Sequence, residues 1–424
     1  MKYLGIDWAH EVHVAVLVDA KGRRVDRRSI ANRADDVAAY FSWLQKQGGP
    51  EGVRVGIESG AALLVDQLLL LGYWVCVFNP KQAERCRDRL SASSAKDDAR
   101  DAHAIAEALR TDSAGNYRAV EQDTPAVEEL RLIDAARTQA VERRVRVMNQ
   151  LWALLQRYYP AVVELGRACD DPFFLALLRT FPTPDLGRKA SRARITTLLE
   201  RHRIRALLPA DIVKTLKATH FEVADHVARA CQITILQFID EIELLNEHVQ
   251  EFDKSLTDLF DKHPDQKILE SLPGLGSILS ARVGARLGTR RDPVTGRACV
   301  AIRGGTAPVT RRSGEKTRHG ETRPGAISIR MRRGCDRVLQ TALYSMAKSS
   351  LRTSPWAKAC YQAHVKRGAS HAMALRSLSN KWAKILDALL LAGATYDEAK
   401  HVTHLKRNNV PWASDLATPE GKAA

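Results

Sequence analysis

Two short apolar runs near the start of the chain each end in an acid, and that spacing restricts the fold more than any other feature. They are Leu4-Gly5-Ile6-Asp7 and Val55-Gly56-Ile57-Glu58. Around them, residues 3–6, 12–18 and 24–30 read as strands separated by short turns. Residues 35–47 read as a helix with Val37, Phe41 and Leu44 along one face. A strand at 53–58, a helix at 63–71 and a strand at 74–78 follow, the last stopped by Asn79-Pro80. Helices are predicted over 81–90 and 97–110. The order βββαβαβα differs from a doubly wound fold, which alternates from its first strand. On the last helix Asp98 and Asp101 stand three apart and so point the same way.

An α/β RNase H-like layout gives these acids a common destination. It sets the first and fourth strand ends side by side and packs the late helix across them. Four gathered carboxylates repel one another unless cations neutralise them, so Asp7, Glu58, Asp98 and Asp101 predict a Mg²⁺ site, with Mn²⁺ as substitute. Two such ions can activate an attacking oxygen and stabilise a leaving one. Taken singly, each acid has a plainer role: a strand-end Asp is ordinarily a turn residue, and acids in a first turn complement the helix dipole. Sugar kinases and actin-like ATPases share the broad fold. They need glycines after the first-strand Asp to admit phosphates, whereas Trp8-Ala9-His10 follows here.

The middle of the chain is helical. Val141, Val145, Met148, Trp152 and Leu155 step by four and three, and Ile235, Phe238, Ile242, Leu245, Val249, Phe252, Leu256 and Leu259 do so without a break. That pattern predicts a coiled-coil seam, either between these two helices packed antiparallel or between subunits. Residues 170–209, rich in proline and basic from 188 to 205, read as a helical insertion.

Charge divides the chain sharply. Residues 282–384 hold 23 Lys/Arg against four Asp/Glu, or +19 of a total of +16, leaving −3 elsewhere. A solvated face mixes signs; such a surplus suits a phosphate backbone, and its arginine bias suits bidentate phosphate contacts. Leu272-Pro273-Gly274-Leu275-Gly276 opens this region as a turn before a helix, and Gly274 and Gly276 are candidates for backbone contact with phosphate. Further on, Gly305-Thr306-Ala307-Pro308 precedes Arg311, Arg312, Ser313, Gly314, Lys316 and Arg318, and then Arg330, Arg332 and Arg333. A serine beside glycine in this cationic loop is either a phosphate-contacting residue or a nucleophile able to hold a phosphodiester as a covalent ester. The seven cysteines form no metal or disulfide pattern, which fits a reducing cytosol. The most apolar stretch, 61–72, is too short to span a membrane.

These motifs, in this order over nearly the whole chain, resemble the insertion-sequence family 110 (DEDD) transposases, also called bridge-RNA-guided recombinases and related to the Piv invertases. The carriers are Gly5-Ile6-Asp7, Gly56-Ile57-Glu58, Lys96-Asp97-Asp98-Ala99-Arg100-Asp101-Ala102, the Pro273-Gly274 turn, Gly305 to Pro308 through Ser313-Gly314, and Arg333-Gly334 with the segment after it. The resemblance implies a RuvC-like catalytic domain at 1–115 and a coiled-coil linker with its insertion at 116–265. It implies a mainly α-helical basic transposase domain at 266–400 and a frayed tail at 401–424. It places Asp7, Glu58, Asp98 and Asp101 at the metal positions and Ser313 at the nucleophile that forms a 5′-phosphoserine bond. It further implies double-stranded donor and target DNA, a non-coding bridge RNA, a homo-oligomer (dimer or tetramer) and action at the bacterial nucleoid. Two departures stand out. Asp97 replaces the family's usual Thr and shares a face with Asp101, so it competes with Asp98 as a ligand; and residues 291–303 are less apolar than usual. The expected activity is excision and insertion of a mobile element. The alternative is a RuvC-like Holliday-junction endonuclease using metal-activated water.

Overall fold

The computed structural model describes the chain except residues 59–61, 91–96, 113–116, 118, 121–122, 219–222, 290–298, 317–321, 415 and 417–424; of 62, 299, 311–316 and 322–328 it describes the backbone only. The chain divides into two compact units, Met1–Gln122 and Asp123–Ala424.

The first unit is built on a five-stranded sheet in the order β3-β2-β1-β4-β5. Its strands are β1 (Lys2–Asp7), β2 (Val12–Val18), β3 (Arg24–Ala31), β4 (Val53–Glu58) and β5 (Trp74–Phe78). β1 runs antiparallel to β2, and β2 to β3, whereas β4 lies parallel to β1 and to β5. This is the mixed sheet expected of an RNase H-like domain. Alternation along the strands sorts the side chains. Leu4, Ile6, Val53, Val55 and Ile57 join Tyr40, Phe41 and Leu44 of the Ala34–Lys46 helix in a core on one face. On the other, Val16 and Val18 meet Ala102 and Ala106, and Cys76 and Phe78 meet Ile105 and Leu109, all from the Asp98–Arg110 helix.

In the second unit, the Pro125–Tyr158 and Asp225–Phe260 helices pack along each other. Arg137 meets Asp253, and Arg144 Nη1 donates to Asn246 at 2.7 Å, so the pair runs antiparallel within one chain. The buried stripe is Ile235, Ile239, Ile242, Leu245, Val249, Leu256 and Phe260. Phe238, Phe252 and Leu259 sit at its edge, and on the partner helix Val145 is 45% exposed while Val147, Leu151 and Leu155 are buried. The stripe is therefore wider than the strict three-four seam of the sequence reading, as a straight helix drifts from a seven-residue repeat. Short helices from the insertion, including Pro172–Thr180 and Arg192–Arg201, close this core.

The rest of the unit is a helical core centred on Trp356 and Trp382, which are almost wholly buried. Their indole N–H groups donate to Tyr396 and Ser350 at 2.6 and 2.9 Å. The expected frayed tail is instead helical over Glu398–Arg407, and Val402 and Ala413 are buried, because Trp412 and Leu416 find apolar partners on this core. One hairpin, β6 (Val309–Lys316) and β7 (Thr322–Arg330), forms a separate two-stranded sheet. Ser313 therefore lies on a strand and not in a loop. All the described cysteines are free, and no described helix is long and apolar enough to cross a membrane.

Candidate active site

Asp7 and Glu58 close neighbouring parallel strands whose register pairs Gly5 with Gly56 and Ile6 with Ile57, so the two acids fall side by side. With a period of two, both share the sheet face of Gly5 and Gly56. Those glycines admit the Asp98–Arg110 helix. A Cβ on Gly5 would lie 1.8 Å from the carbonyl oxygen of Ala102, and one on Gly56 would lie 2.5 Å from Ile105. At its far end Arg110 reaches the carbonyl of Ala20, in the β2–β3 turn, so the helix runs opposite to β1. Its first turn thus lies toward the strand ends that carry Asp7 and Glu58.

The three acids of that turn do different things. Asp97 is the N-cap: its side chain accepts from the N–H of Ala99 at 3.2 Å. Asp98 is exposed. Asp101 is buried, and Arg87 Nη1 from the Pro80–Leu90 helix donates to both its oxygens at 2.8 and 2.7 Å. That hydrogen bond, with the carboxylate charge, raises the Arg87 pKa further. The cap commits Asp97 to backbone, which favours Asp98 over it as a ligand. An Asp just before a helical run is itself a capping signal, so the sequence held this information. Arg87 was missed, since nothing in its spacing marks a partner on another helix. Among the described residues no three His, Cys, Asp or Glu side chains stand close enough to hold a metal ion. The donor set is nonetheless all carboxylate, as a hard cation requires, and its buried member already binds a cationic group.

In the second unit, β6 and β7 pair Arg311 with Ser328 and Arg312 with Ile327, then Gly314 with Pro324. The register slips by one between Arg312 and Gly314, so Ser313 alone faces Gly325 and Ala326. Such irregularities bend a ribbon and re-aim the residue they contain. The side chains of Arg311, Arg312, Ser313 and Lys316, and all of Arg318, lie outside the described residues. Arg330 and Arg333 are exposed and Arg332 half-buried, just past the hairpin. Gly274, at φ +88°, is pressed against the interior: a Cβ would lie 2.6 Å from the carbonyl of Met346. Packing alone demands glycine there. Gly276 has open space and caps the Ser277–Leu287 helix.

Part of the basic surplus is internal. Arg282 and Arg286 each donate through Nε to Asp134, at 2.8 and 2.9 Å, and Asp134 is fully buried. They hold the unit together and are not part of a phosphate surface.

Comparison with known proteins fixes the lineage. A transposase family model of the IS110 DEDD type matches residues 4–160, and one for the IS116/IS110/IS902 transposases matches 266–362. The protein named as the mini-circle transposase for IS117 from Streptomyces coelicolor is 30% identical over 418 residues, covering 94% of this chain and 96% of the relative. The chain belongs to the IS110 family of transposases. These are enzymes that cut and rejoin DNA. A 43.6 kDa protein of insertion element IS110 from the same organism is 26% identical, covering 93% of this chain and 95% of that one. Among solved structures, Thermus thermophilus RuvC with a Holliday junction substrate aligns at 14% identity over 28% of this chain and 99% of its own, with a TM-score of 0.23, too low to carry an argument. In the IS110-family transposase the two matched segments contain all five candidate catalytic residues, four in the first and Ser313 in the second.

Proposed function

We propose that this transposase moves its own element by cutting and rejoining DNA through Ser313, with Asp7, Glu58, Asp98 and Asp101 as the metal-binding acids. The observation that carries the reading is the placement of Asp7 and Glu58 at adjacent strand ends beneath the first turn of the Asp98–Arg110 helix. Divalent cations such as Mg²⁺ held by these carboxylates would supply charge stabilisation at the scissile phosphate. Ser313 Oγ attacks phosphorus as its proton is lost, the P–O3′ bond breaks, the upstream segment leaves as a 3′-OH with a proton taken up on O3′, and the 5′-phosphate of the downstream segment stays on serine. A new 3′-OH then displaces serine and reseals the strand. The ester keeps the energy of the broken bond, so no external energy source is needed. Arg311, Arg312, Lys316, Arg318, Arg330, Arg332 and Arg333 would hold phosphates and balance charge as it develops. A bridge RNA selecting donor and target, and an oligomer that brings acids and serine of different subunits together, complete the proposal; the basic surplus of residues 282–384 that remains beyond Arg282 and Arg286 supports a polyanionic partner.

A denatured reaction on a nicked substrate tests it. Wild type is expected to carry DNA covalently on Ser313, whereas a metal-dependent junction endonuclease leaves none. Adducts on Ser313→Ala equal to wild type would falsify the assignment.

A further inference from the structure

A cavity of about 640 Å³ opens beside the foot of the β6–β7 hairpin, between the turn at 305–308 and the Arg337–Thr353 and His371–Ala392 helices. Its wall includes half-buried Tyr344, and Met331 and Met373 at its rim are 46% and 54% exposed. Two further features separate it from an ordinary apolar groove. Asn380 Oδ1 and Ser379 Oγ are shielded from water and have no hydrogen-bond partner among the described residues, although Ser379 is only 1% exposed. Arg330 and Arg376 line the same cavity, and among the described residues no acid does.

Orphaned buried acceptors call for a donor from outside, since a polar group shielded from water is destabilising until it is paired. The donor must be part of something flat enough to lie on Tyr344, apolar on its faces and flanked by negative charge. An apolar protein segment has no use for the acceptors, and an acidic one has none for Tyr344 and the methionines. A nucleobase meets every condition. Its ring stacks on Tyr344 and meets the polarisable thioethers, a turn of the half-buried Asn380 amide brings Oδ1 out to its ring or exocyclic N–H, and its phosphates reach Arg330 and Arg376. We propose that this cavity captures an unpaired nucleobase of a bound strand. Ile329, next to Arg330, pairs with Thr310, three residues from Ser313, or about 10 Å along the strand. The base is thus held within one or two nucleotides of the serine, so the local duplex must open there before the strand is cut. The inference rests on the reading that this unit binds nucleic acid.

The test uses the full chain and six-nucleotide single strands, deoxy and ribo, with a central base present or replaced by an abasic sugar. Fluorescence anisotropy is expected to show binding at least about tenfold weaker without the base. Tyr344→Ala should bring the intact strand down to the abasic level, while Tyr344→Phe should not. Photo-crosslinking of wild type with 5-iodouracil strands should mark Tyr344, Met331 or Met373, and the stronger of the deoxy and ribo arms identifies the source strand. Equal affinity for intact and abasic strands, or crosslinks confined to other peptides, overturns the proposal, even if Tyr344→Ala fails to fold. So does a self-association that Met373→Glu abolishes while the base effect is absent, which would make the cavity a contact between copies. A twenty-base-pair duplex run alongside separates the two readings: loss of all binding removes the nucleic-acid assignment, whereas duplex binding without a base effect removes only the cavity.

Discussion

The carboxylates and the serine are held by opposite kinds of structure. Asp7 and Glu58 end strands inside a five-stranded sheet, and a helix is clamped onto that sheet through two glycines with no room for a Cβ. Ser313 lies at a register slip in a hairpin that, among the described residues, forms a sheet of two strands. A packed core fixes the first arrangement; a two-stranded ribbon has little but its own pairing to hold it. The difference assigns the two regions different tasks. The sheet fixes the two adjacent strand ends that carry Asp7 and Glu58. Under the proposed serine mechanism, such a ribbon can shift between attack on a strand and its release.

The largest expected effect lies on the chemistry itself. Ser313→Ala should abolish recombination, beyond a thousandfold, while duplex binding persists. A serine that only contacted phosphate would lose one hydrogen bond, about 0.5–1.5 kcal/mol, and about tenfold at most. Asp7→Asn should be equally inactive, because it removes one of the four carboxylates proposed to hold the cation. Asp98→Asn should be far more damaging to cleavage than Asp97→Asn, which touches only a helix cap.

Glycine substitutions probe the scaffold next. Gly5→Ala forces a methyl group into a helix backbone and should cost about 3 kcal/mol or more, with loss of cleavage. Gly276→Ala meets open space and should cost under about 1 kcal/mol. Equal thermal shifts for the two would break the contrast between a clamped sheet and an accessible turn. Comparable in size is Asp134→Ala, which strands Arg282 and Arg286 and should cost about 3–5 kcal/mol in the second unit.

These contrasts also explain what the sequence disclosed. Sequence placed all five strands of the sheet and their acids to within a residue, because most of them are short, nearly continuous apolar runs, packed on both faces and stopped by turn residues or acids. The hairpin was hidden: Arg311 to Lys316 alternate neither in hydropathy nor with a turn signal, so pairing had to come from β7. Asp134 was invisible for another reason. A buried acid looks like any solvated acid on a helix until its two arginines arrive from 148 and 152 residues away.

Arg87 offers a finer test of the first region. Its guanidinium compensates buried Asp101. Arg87→Ala should lower apo stability by up to about 3 kcal/mol and enlarge the rise in melting temperature caused by added Mg²⁺, since a competing cation is gone. Differential scanning fluorimetry with and without Mg²⁺ reads both changes. A Mg²⁺ shift no larger than that of wild type would separate Asp101 from the cation.

The smallest effect is a pH dependence in each region. His401 lies against Trp356, ring centroids 4.6 Å apart, and burial first, then the charges of His404 and Lys381, push its pKa down to about 4. His13, buried on β2, is lowered chiefly by desolvation. Both titrate near 6.5 once unfolded, so between the folded and unfolded values the unfolded chain binds more protons. Stability should therefore be full above pH 6.5 and fall as pH drops, toward 4 for His401. The interval from 7 to 5 isolates this, because most carboxylates stay ionised there. His401→Phe should flatten the pH dependence of urea unfolding in the second unit alone, and His13→Phe in the first alone. Hydrogen exchange resolved by peptide assigns each change to its unit. If either variant flattens both, the two units unfold as one, and the contrast between a self-sufficient sheet and a separate basic unit fails.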